Sequence, residues 1–235
     1  MQRLDKYLVE NNHFESRNRA IDAIKRGKVF VDGKKAKPST QCDENSNIDI
    51  NSEKFYVSRA SKKLELFLEE YPMDLKGKIA LDIGSSTGGF VQILLENEVK
   101  SVTAVDVGSN QLHHSLRDNP KIKVFEETDI RAFKTDEIFE IVTCDVSFIS
   151  ILHIIDDIDR LSDRDMVLLF KPQFEVGRNV KRDSRGVVID DKAIKIAIES
   201  FENRTSELGW KLCYSTISKL AGKSGNVEYI YHFRK

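Results

Sequence analysis

The chain of 235 residues has little cysteine, proline or glycine, with three, four and 12 residues respectively. Cys42, Cys144 and Cys213 are too few and too far apart for a disulfide framework or a zinc site. The low proline and glycine content excludes collagen-like and low-complexity chains. With 40% hydrophobic and 32% charged residues, the composition predicts a globular protein with a sizeable core.

Long apolar runs are also missing. The longest, such as the run from Met166 to Phe170, are far shorter than the roughly 20 residues that cross a bilayer. The chain opens with charges, among them Arg3 and Asp5, where a secretion signal would be apolar. No histidines have HExxH spacing, and adjacent His113 and His114 would face different sides of a helix. The sequence therefore predicts a cytoplasmic protein with neither a membrane segment nor a metal.

The charge is distributed unevenly along the chain. The net charge is -1, yet residues 1–64 sum to +5 and residues 65–235 to -6. A basic leader on an acidic body is typical of a module that attracts polyanions, although a solvated charged face would have the same composition. The candidate polyanion-binding residues in this leader are Arg3, Arg17, Arg19, Lys25, Arg26, Lys28, Lys34 and Lys35.

Residue spacing in the first 50 residues predicts two helices followed by a hairpin. Leu4 and Leu8 recur at helical spacing, and Ser16 suits the N-cap of a second helix that ends at Gly27. Asp32-Gly33 is the kind of pair that a tight hairpin turn requires. The layout resembles the S4 RNA-binding domain, which implies binding to structured RNA through phosphates and shape. The matching motifs are Arg3-Leu4-Asp5, Ser16-Arg17 with Ala20, and Gly27-Lys28-Val29 leading to Val31-Asp32-Gly33.

From residue 60 onward, short β-rich runs alternate with helical patterns. This alternation predicts an α/β domain with a mostly parallel sheet. A helix is predicted from Ala60 to Tyr71, and the predicted strands lie near residues 79–83, 101–106, 122–125, 141–146, 166–171, 210–218 and 227–233. The predicted organisation is a small α+β domain over residues 1–50, a linker over 51–58 and the α/β domain over 59–235.

The strongest chemical signal is the glycine-rich segment from Leu81 to Phe90. A predicted strand runs into a turn and then a helix, which lets the backbone approach a ligand closely. Asp106, 22 residues beyond Gly84, ends the next predicted strand, where a carboxylate can accept hydrogen bonds from two ribose hydroxyls. The pattern predicts a site for an adenosine-containing cofactor, and the alternative is a purely structural turn.

Two other nucleotide fingerprints fit poorly. A nicotinamide site requires a glycine at position 86, where this chain has Ser86. Gly222-Lys223-Ser224 has Ile217 where a P-loop has its first glycine, so a turn is predicted there. The loop instead resembles the S-adenosylmethionine site of Rossmann-like methyltransferases. That resemblance implies contributions from Asp82, Gly84, Ser85, Ser86, Thr87, Gly88, Gly89, Phe90, Asp106, Val107, Asp129, Ile130 and Asp145.

Charged residues follow two further predicted strands. Asp145 and Lys171 each abut an apolar strand, at the sheet edge where parallel sheets bind ligands. If the last strand is antiparallel, Glu228 at its start reaches the same edge, and Lys63 can reach it from the preceding helix. The four resemble the Lys-Asp-Lys-Glu set of FtsJ-like ribose 2'-O-methyltransferases, in order and in sequence context. Those contexts are Val57 to Leu64, Asp145 to Ser150, Lys171-Pro172-Gln173-Phe174-Glu175 and Gly225 to Tyr229.

Together with the S4-like leader, the chain resembles the TlyA family of hemolysin-A-like ribosomal RNA methyltransferases over nearly its whole length. The resemblance implies 2'-O-methylation of a cytidine ribose in ribosomal RNA, with S-adenosylmethionine as cofactor. The compact chain favours large-subunit RNA, with small-subunit RNA as the alternative, and a monomer would suffice for RNA recognition. Because Ala60 stands where the family usually has glycine, Lys62 is an alternative to Lys63, which the register of Leu64 favours.

The resemblance also leads to a hypothesis for Lys171 and extends the RNA-binding set. A ribose hydroxyl is a weak nucleophile, so Lys171 is expected to act as its base or hydrogen-bond acceptor, provided that burial and nearby Lys63 keep part of it neutral. Arg59 and Arg178 are further expected RNA contacts, although the basic loop around Arg178 would serve equally as a solvated surface. The rival functions are a non-catalytic ribosome-binding or assembly factor and a membrane-active hemolysin.

Overall fold

The computed structural model describes residues 1–50 and 54–235. The chain divides into two compact units, Met1–Phe55 and Tyr56–Lys235. Residues 51–53 of the predicted linker lie outside the described residues. The domain boundaries at residues 50 and 59 therefore stay a prediction.

The first unit contains the two helices and the hairpin that its sequence predicts. Ser16 caps the second helix, with its Oγ accepting a hydrogen bond from the Arg19 amide at 3.4 Å. Asp32 and Gly33 have φ angles of 50° and 75°, as a tight hairpin turn between twisted strands demands. Leu4, Leu8, Ala20, Ile24, Val29 and Val31 form the buried core. The elements are β1 Gln2–Arg3, α1 Leu4–Glu10, α2 Arg17–Lys25, β2 Val29–Val31, β3 Lys34–Lys35, β4 Gln41–Cys42 and β5 Ile48–Ile50.

The second unit is built on a seven-stranded sheet in the order β11-β12-β10-β9-β6-β7-β8. β12 runs antiparallel to both of its neighbours, and the other pairs are parallel. The predicted fold class is thereby confirmed. Its strands are β6 Ile79–Ile83, β7 Ser101–Val105, β8 Ile122–Phe125, β9 Phe139–Cys144, β10 Ser162–Phe170, β11 Lys211–Ile217 and β12 Tyr229–Arg234. Its α-helices are α3 Arg59–Glu70, α4 Gly89–Glu96, α5 His114–Arg117, α6 Ile155–Leu161, α7 Pro172–Glu175 and α8 Asp191–Glu207, and a 3-10 turn spans Ile151–His153.

Helices cover both faces of this sheet, so its central strands are apolar on both sides. Residues Met166 to Phe170 of β10 are all buried, as expected for a strand inside a parallel sheet. Leu64 of α3 and Phe90 of α4 belong to the core on one face. Ile158 of α6 and Phe201 of α8 belong to the core on the other. The apolar runs of the sequence therefore mark the centre of the sheet.

Strand order and register bring the candidate residues to one edge of the sheet. β6 lies between β9 and β7. The chain passes from β6 to β7 on one side of this strand and later continues with β9 on its other side. This reversal of strand order leaves a crevice at the carboxyl end of β6. Phe170 pairs with Tyr229, so the residue after β10 lies beside the residue before β12. Those residues are Lys171 and Glu228. The antiparallel last strand is what puts the glutamate at the crevice edge.

Candidate active site

The glycine-rich turn joins β6 to α4 through backbone conformations that side chains disfavour. Gly84 has a φ of 76°, and a Cβ there would lie 3.1 Å from the carbonyl oxygen of Asp145. At Gly89, a Cβ would lie 2.3 Å from Ser58 Oγ and 2.8 Å from the Ser61 amide nitrogen. Gly89 therefore lets the first turn of α3 pack directly on α4. Lys63 lies on α3, one turn further along.

A cavity of about 370 Å³ lies beyond the carboxyl ends of β6, β7 and β9. Seven of the predicted cofactor-site residues line it: Gly84, Ser86, Asp106, Val107, Asp129, Ile130 and Asp145. Val107 is exposed, although it is apolar, and Ile130 belongs to the core below. The cavity thus combines apolar walls with three carboxylates, which suits a ligand with an apolar ring and polar hydroxyls.

Six other predicted cofactor residues lie outside the cavity lining and shape the turn or the core: Asp82, Ser85, Thr87, Gly88, Gly89 and Phe90. Phe90 packs in the core, and Gly88 caps α4 with a φ of 87°. Asp82 is buried and accepts a hydrogen bond from the Thr143 hydroxyl at 2.6 Å. Burial raises the pKa of Asp82 to about 8, with neighbouring carboxylates adding to the rise against the Thr143 hydrogen bond. Its carboxyl is therefore mostly protonated at neutral pH.

Asp106 and Asp129 both line the cavity, and they differ in their hydrogen-bond partners. The Asp106 oxygens accept hydrogen bonds from the amides of Ser86 at 2.8 Å and Gly108 at 2.7 Å. A carboxylate has about four acceptor positions, so Asp106 keeps capacity for ligand hydroxyls. Asp129 is paired with Arg131, whose hydrogen bonds lower the pKa of the Asp129 carboxyl. A ligand amino group at Asp129 would share the carboxylate with that arginine.

Two buried ion pairs stand at the edge of the cavity. Lys171 Nζ lies 2.5 Å from Asp145 Oδ1, and Lys63 Nζ lies 2.5 Å from Glu228 Oε2. The side chains of both lysines and of Glu228 are less than 10% exposed. Burial raises the pKa of Asp145 against the opposing charges of Lys171 and Lys63, and Glu228 adds to the rise. The structure thus brings together all four residues of the predicted set.

The structure also distinguishes the two adjacent lysines of α3. Lys63 is buried and meets Glu228, whereas Lys62 is exposed, with its ammonium 5.9 Å from the centre of the Tyr56 ring. Leu64 is buried beside Lys63 on the inner face of the helix. The helical register therefore orients Lys63 toward the cavity edge and Lys62 toward solvent.

Several residues to which the sequence analysis assigned no role support the ion pairs. Lys171 donates to Ser147 Oγ at 2.9 Å, and Gln173 Nε2 donates to Glu228 Oε1 at 3.2 Å. Glu175 accepts hydrogen bonds from the Ser150 hydroxyl at 2.5 Å and the Ile151 amide at 2.9 Å. Glu175 thereby ties the segment after Lys171 to the segment after Asp145. The signal available for these residues was their position, since each follows Asp145 or Lys171 by two to six places in the sequence.

Phe148, to which the sequence analysis also assigned no role, lies on the cavity wall with 92% of its surface exposed. Its φ of 67° is unusual for a bulky residue. Its ring centre lies 5.3 Å from that of Phe174. The segment after Asp145 therefore presents an aromatic ring to solvent.

The first unit holds an arginine pair organised by one carboxylate. Asp5 is fully buried, and it accepts hydrogen bonds from Arg3 and Arg17 at 2.9 to 3.1 Å. Hydrogen bonding to Arg3 is the main cause that lowers the pKa of Asp5 to about 2, with Arg17 adding to it against burial. About half of each arginine side chain is exposed. The two guanidinium groups are therefore fixed at the surface with donors left for an anion.

The other predicted RNA contacts are mostly exposed cations. Arg19 pairs with Glu15 and Arg26 with Asp22, while Lys25, Lys34 and Lys35 are exposed and Lys28 is half-buried. In the second unit, Arg59 donates to the carbonyl of Ala221 at 2.7 Å, and Arg178 is exposed. Exposure leaves these cations accessible to a polyanion and is equally typical of a solvated surface.

Three further predictions concern a turn, a metal and the membrane. Lys223 and Ser224 form a turn closed by a 2.9 Å hydrogen bond from the Gly225 amide to the Gly222 carbonyl, as predicted. In residues 1–50 and 54–235, no group of three or more His, Cys, Asp or Glu is arranged to hold a metal ion. Across the same residues, no helix has the length and apolar character needed to span a membrane.

The fold and the site define a Rossmann-like methyltransferase unit joined to an S4 domain. The FtsJ-like methyltransferase model matches residues 56–235, and the S4 domain model matches residues 2–48. The chain belongs to the TlyA family of FtsJ-like methyltransferases.

Relatives along the whole chain support that assignment. The chain is 49% identical to the 23S rRNA (cytidine-2'-O)-methyltransferase TlyA of Campylobacter jejuni, over 94% of each chain. It is 37% identical to the 16S/23S rRNA (cytidine-2'-O)-methyltransferase TlyA of Mycobacterium tuberculosis, over 99% of this chain and 89% of that one. A solved structure described as a hemolysin from Streptococcus thermophilus superimposes with a TM-score of 0.72 at 31% identity, over 100% of this chain and 88% of that one.

Proposed function

We propose that the chain transfers a methyl group from S-adenosylmethionine to the 2'-hydroxyl of a cytidine in ribosomal RNA. Two buried ion pairs, Lys171 with Asp145 and Lys63 with Glu228, carry the proposal. They lie beside a cavity that the glycine-rich turn lines in part. The C. jejuni relative acts on 23S rRNA by its name, so the large subunit is the favoured substrate. The M. tuberculosis relative makes small-subunit RNA the second candidate.

The cavity residues fit S-adenosylmethionine. Gly84 gives close backbone approach, the Asp106 carboxylate keeps acceptor positions for a ribose, and Val107 supplies an apolar surface for a ring. Asp129 remains a candidate partner for a base amino group. When bound there, the cofactor would supply an electrophilic methyl group on its sulfonium.

An Asp106 substitution tests this cofactor assignment. We expect Asp106→Ala to weaken S-adenosylmethionine binding about tenfold to a hundredfold, because it removes charge-assisted hydrogen bonds to the ligand and two that shape the turn. Isothermal titration of both proteins measures the change. Asp118→Ala, at an exposed residue beyond α5, is the matched control and should bind like the wild type. Equal affinity of Asp106→Ala and wild type would remove Asp106 from the site.

The ion pairs supply the chemistry that a ribose hydroxyl requires. The hydroxyl must meet a hydrogen-bond acceptor that takes its proton as the oxygen attacks. We assign that role to Lys171, whose Nζ lies 2.5 Å from Asp145 Oδ1. Burial raises the pKa of Asp145, although the charges of Lys171 and Lys63 oppose that rise. Lys63 and Glu228 would then hold the ribose and balance the charge.

We further propose that residues 1–50 bind the RNA and residues 59–235 carry the reaction. The support in the first unit is the pair of half-exposed arginines that Asp5 holds in place. A fixed guanidinium suits the geometry of phosphate oxygens. The net charge of this segment of the chain is positive, which favours approach to RNA.

Substitution of Arg17 tests the RNA-binding role. We expect Arg17→Ala to weaken binding to ribosomal RNA about tenfold and to lower the slope of log affinity against log salt by about 1, because one phosphate contact is lost. Filter binding at several salt concentrations measures both quantities. Arg204→Ala on α8 removes a surface arginine of the second unit and serves as the control. An unchanged salt slope for Arg17→Ala would argue against a phosphate contact.

The proposed function is tested by incubating the protein with tritiated S-adenosylmethionine and ribosomal subunits from a strain that lacks it. Label in the RNA of one subunit is the expected result and identifies the substrate. Absence of label on either subunit and on free RNA, with a folded protein, would contradict the proposal. That outcome would favour a non-catalytic ribosome-binding factor.

A further inference from the structure

Gln173 is held in one orientation beside the ion pairs. Its amide nitrogen donates to Glu228 Oε1 at 3.2 Å, and its backbone carbonyl accepts a hydrogen bond from Arg182 at 3.0 Å. A carboxylate that also accepts from the Lys63 ammonium can only accept, so the nitrogen of the Gln173 amide must face Glu228. The contacts therefore fix the direction in which the other end of the amide points.

That other end, the Oε1 atom, is buried and has no hydrogen-bond partner among the residues that the structure describes. Of the four other such atoms, Ser58 Oγ and Ser162 Oγ belong to hydroxyls that rotate to find partners. Asp145 Oδ1 is ion-paired with Lys171, and the role of His232 Nδ1 depends on the tautomer of the ring. Gln173 Oε1 has no such freedom, because turning the amide would place its oxygen against the Glu228 carboxylate. A buried acceptor that stays unpaired is destabilising, and it calls for an explanation such as a ligand.

The position of this acceptor indicates what would pair with it. Gln173 lies two residues after Lys171 and contacts Glu228, so its amide belongs to the group of side chains that would surround the methyl acceptor. We propose that Gln173 Oε1 accepts a hydrogen bond from an N–H donor of the nucleotide that is methylated. The inference rests on the proposed function. The donor is the base amino group of that nucleotide, because the single proton of the 2'-hydroxyl goes to Lys171.

The test uses Gln173→Met, which keeps the length of the side chain and removes both hydrogen-bonding ends. Methyl transfer to substrate subunits should fall about tenfold or more in kcat/KM, since one buried hydrogen bond to the nucleotide is lost. S-adenosylmethionine affinity and the melting temperature are measured alongside, to separate loss of the substrate contact from loss of the fold. Asn203→Met, at an exposed position of α8, is the matched control.

Binding to subunits before and after methylation identifies the donor. Wild-type protein first prepares methylated subunits, which lack the 2'-hydroxyl donor and retain the base amine. Gln173→Met should bind both kinds of subunit about tenfold more weakly than wild type, because both retain the base amine. A loss confined to unmethylated subunits would make the 2'-hydroxyl the donor and would overturn the inference. Wild-type kcat/KM and affinity in Gln173→Met would overturn the inference.

A second variant keeps the test decisive if Gln173→Met is unstable. Gln173→Leu also removes both hydrogen-bonding ends, with a shorter side chain, so it should bind unmethylated subunits as weakly as Gln173→Met. Wild-type affinity in Gln173→Leu would overturn the inference. If wild-type protein transfers no methyl group at all, the proposed function fails. If it does and Gln173→Met behaves identically, only this inference fails.

Discussion

Lys171→Ala is expected to reduce methyl transfer to ribosomal RNA by about a thousandfold or more, within the usual range for loss of a positioned acid or base. Lys171 is buried, lies 2.5 Å from Asp145 and donates to Ser147. Its removal takes away the proposed proton acceptor and leaves the Asp145 carboxylate without its nearest cation. The cofactor residues Gly84 and Asp106 belong to other strand ends, so S-adenosylmethionine binding should persist.

Single-turnover kinetics with tritiated cofactor measure this effect, and two further variants sharpen it. Lys171→Arg keeps a positive charge but cannot deprotonate, so it should be nearly as inactive as the alanine variant. Lys195→Ala on the exposed face of α8 is the matched control and should match the wild type. An active Lys171→Arg would show that the charge alone matters and would remove the base role. An active Lys171→Ala would remove the residue from the reaction.

Asp165→Ala is expected to lower the free energy of unfolding by about 3–5 kcal/mol, the cost of breaking a buried charged cluster. Asp165 is buried in β10 and accepts hydrogen bonds from Lys78 at 3.1 Å and Arg234 at 3.0 Å, with His232 Nε2 at 2.9 Å. Burial raises the pKa of Asp165, but the hydrogen bonds from His232, Arg234 and Lys78 outweigh it and lower the pKa overall. Removing the carboxylate leaves buried Lys78 uncompensated.

Urea denaturation followed by circular dichroism measures the loss. Asp163→Ala, an exposed position two residues earlier in the same strand, should change stability by less than about 0.5 kcal/mol. Asp165 lies in the first half of β10, whereas Lys171 follows the last residue of that strand. Methyl transfer by the folded variant at low temperature should therefore remain close to wild type. Equal stability of the two variants would show that the cluster contributes nothing to folding.

Most of the sheet could be predicted from the sequence, because buried parallel strands read as short apolar runs. All seven strands were predicted in order, and β8 was predicted with the bounds that it has. β10 begins at Ser162, four residues before its predicted start. The sequence pattern missed these residues because Asp165 is charged, although its ion partners allow it to be buried in the strand. Tertiary pairing, which local pattern does not reveal, decided that boundary.

The candidate site could be predicted in part. Strand ends and glycines indicated Asp145, Lys171 and the turn at Gly84, and helical register favoured Lys63 over Lys62. Contacts between segments distant in sequence were beyond this reasoning. Gln173 donates a hydrogen bond to Glu228, 55 positions further along the chain, and the Thr143 hydroxyl donates one to Asp82 from a neighbouring strand. The burial that raises the pKa of Asp82 to about 8 follows from packing that no local motif encodes.

The central claim is that the reacting group is a ribose hydroxyl, and one measurement tests it most directly. Ribosomal RNA labelled by the protein with tritiated S-adenosylmethionine is hydrolysed completely with alkali and separated by size. A 2'-O-methyl group blocks cleavage of the adjoining phosphodiester, so the account predicts label in alkali-resistant dinucleotides, and none in RNA treated with Lys171→Ala. Label confined to mononucleotides would place the methyl group on a base and contradict the account.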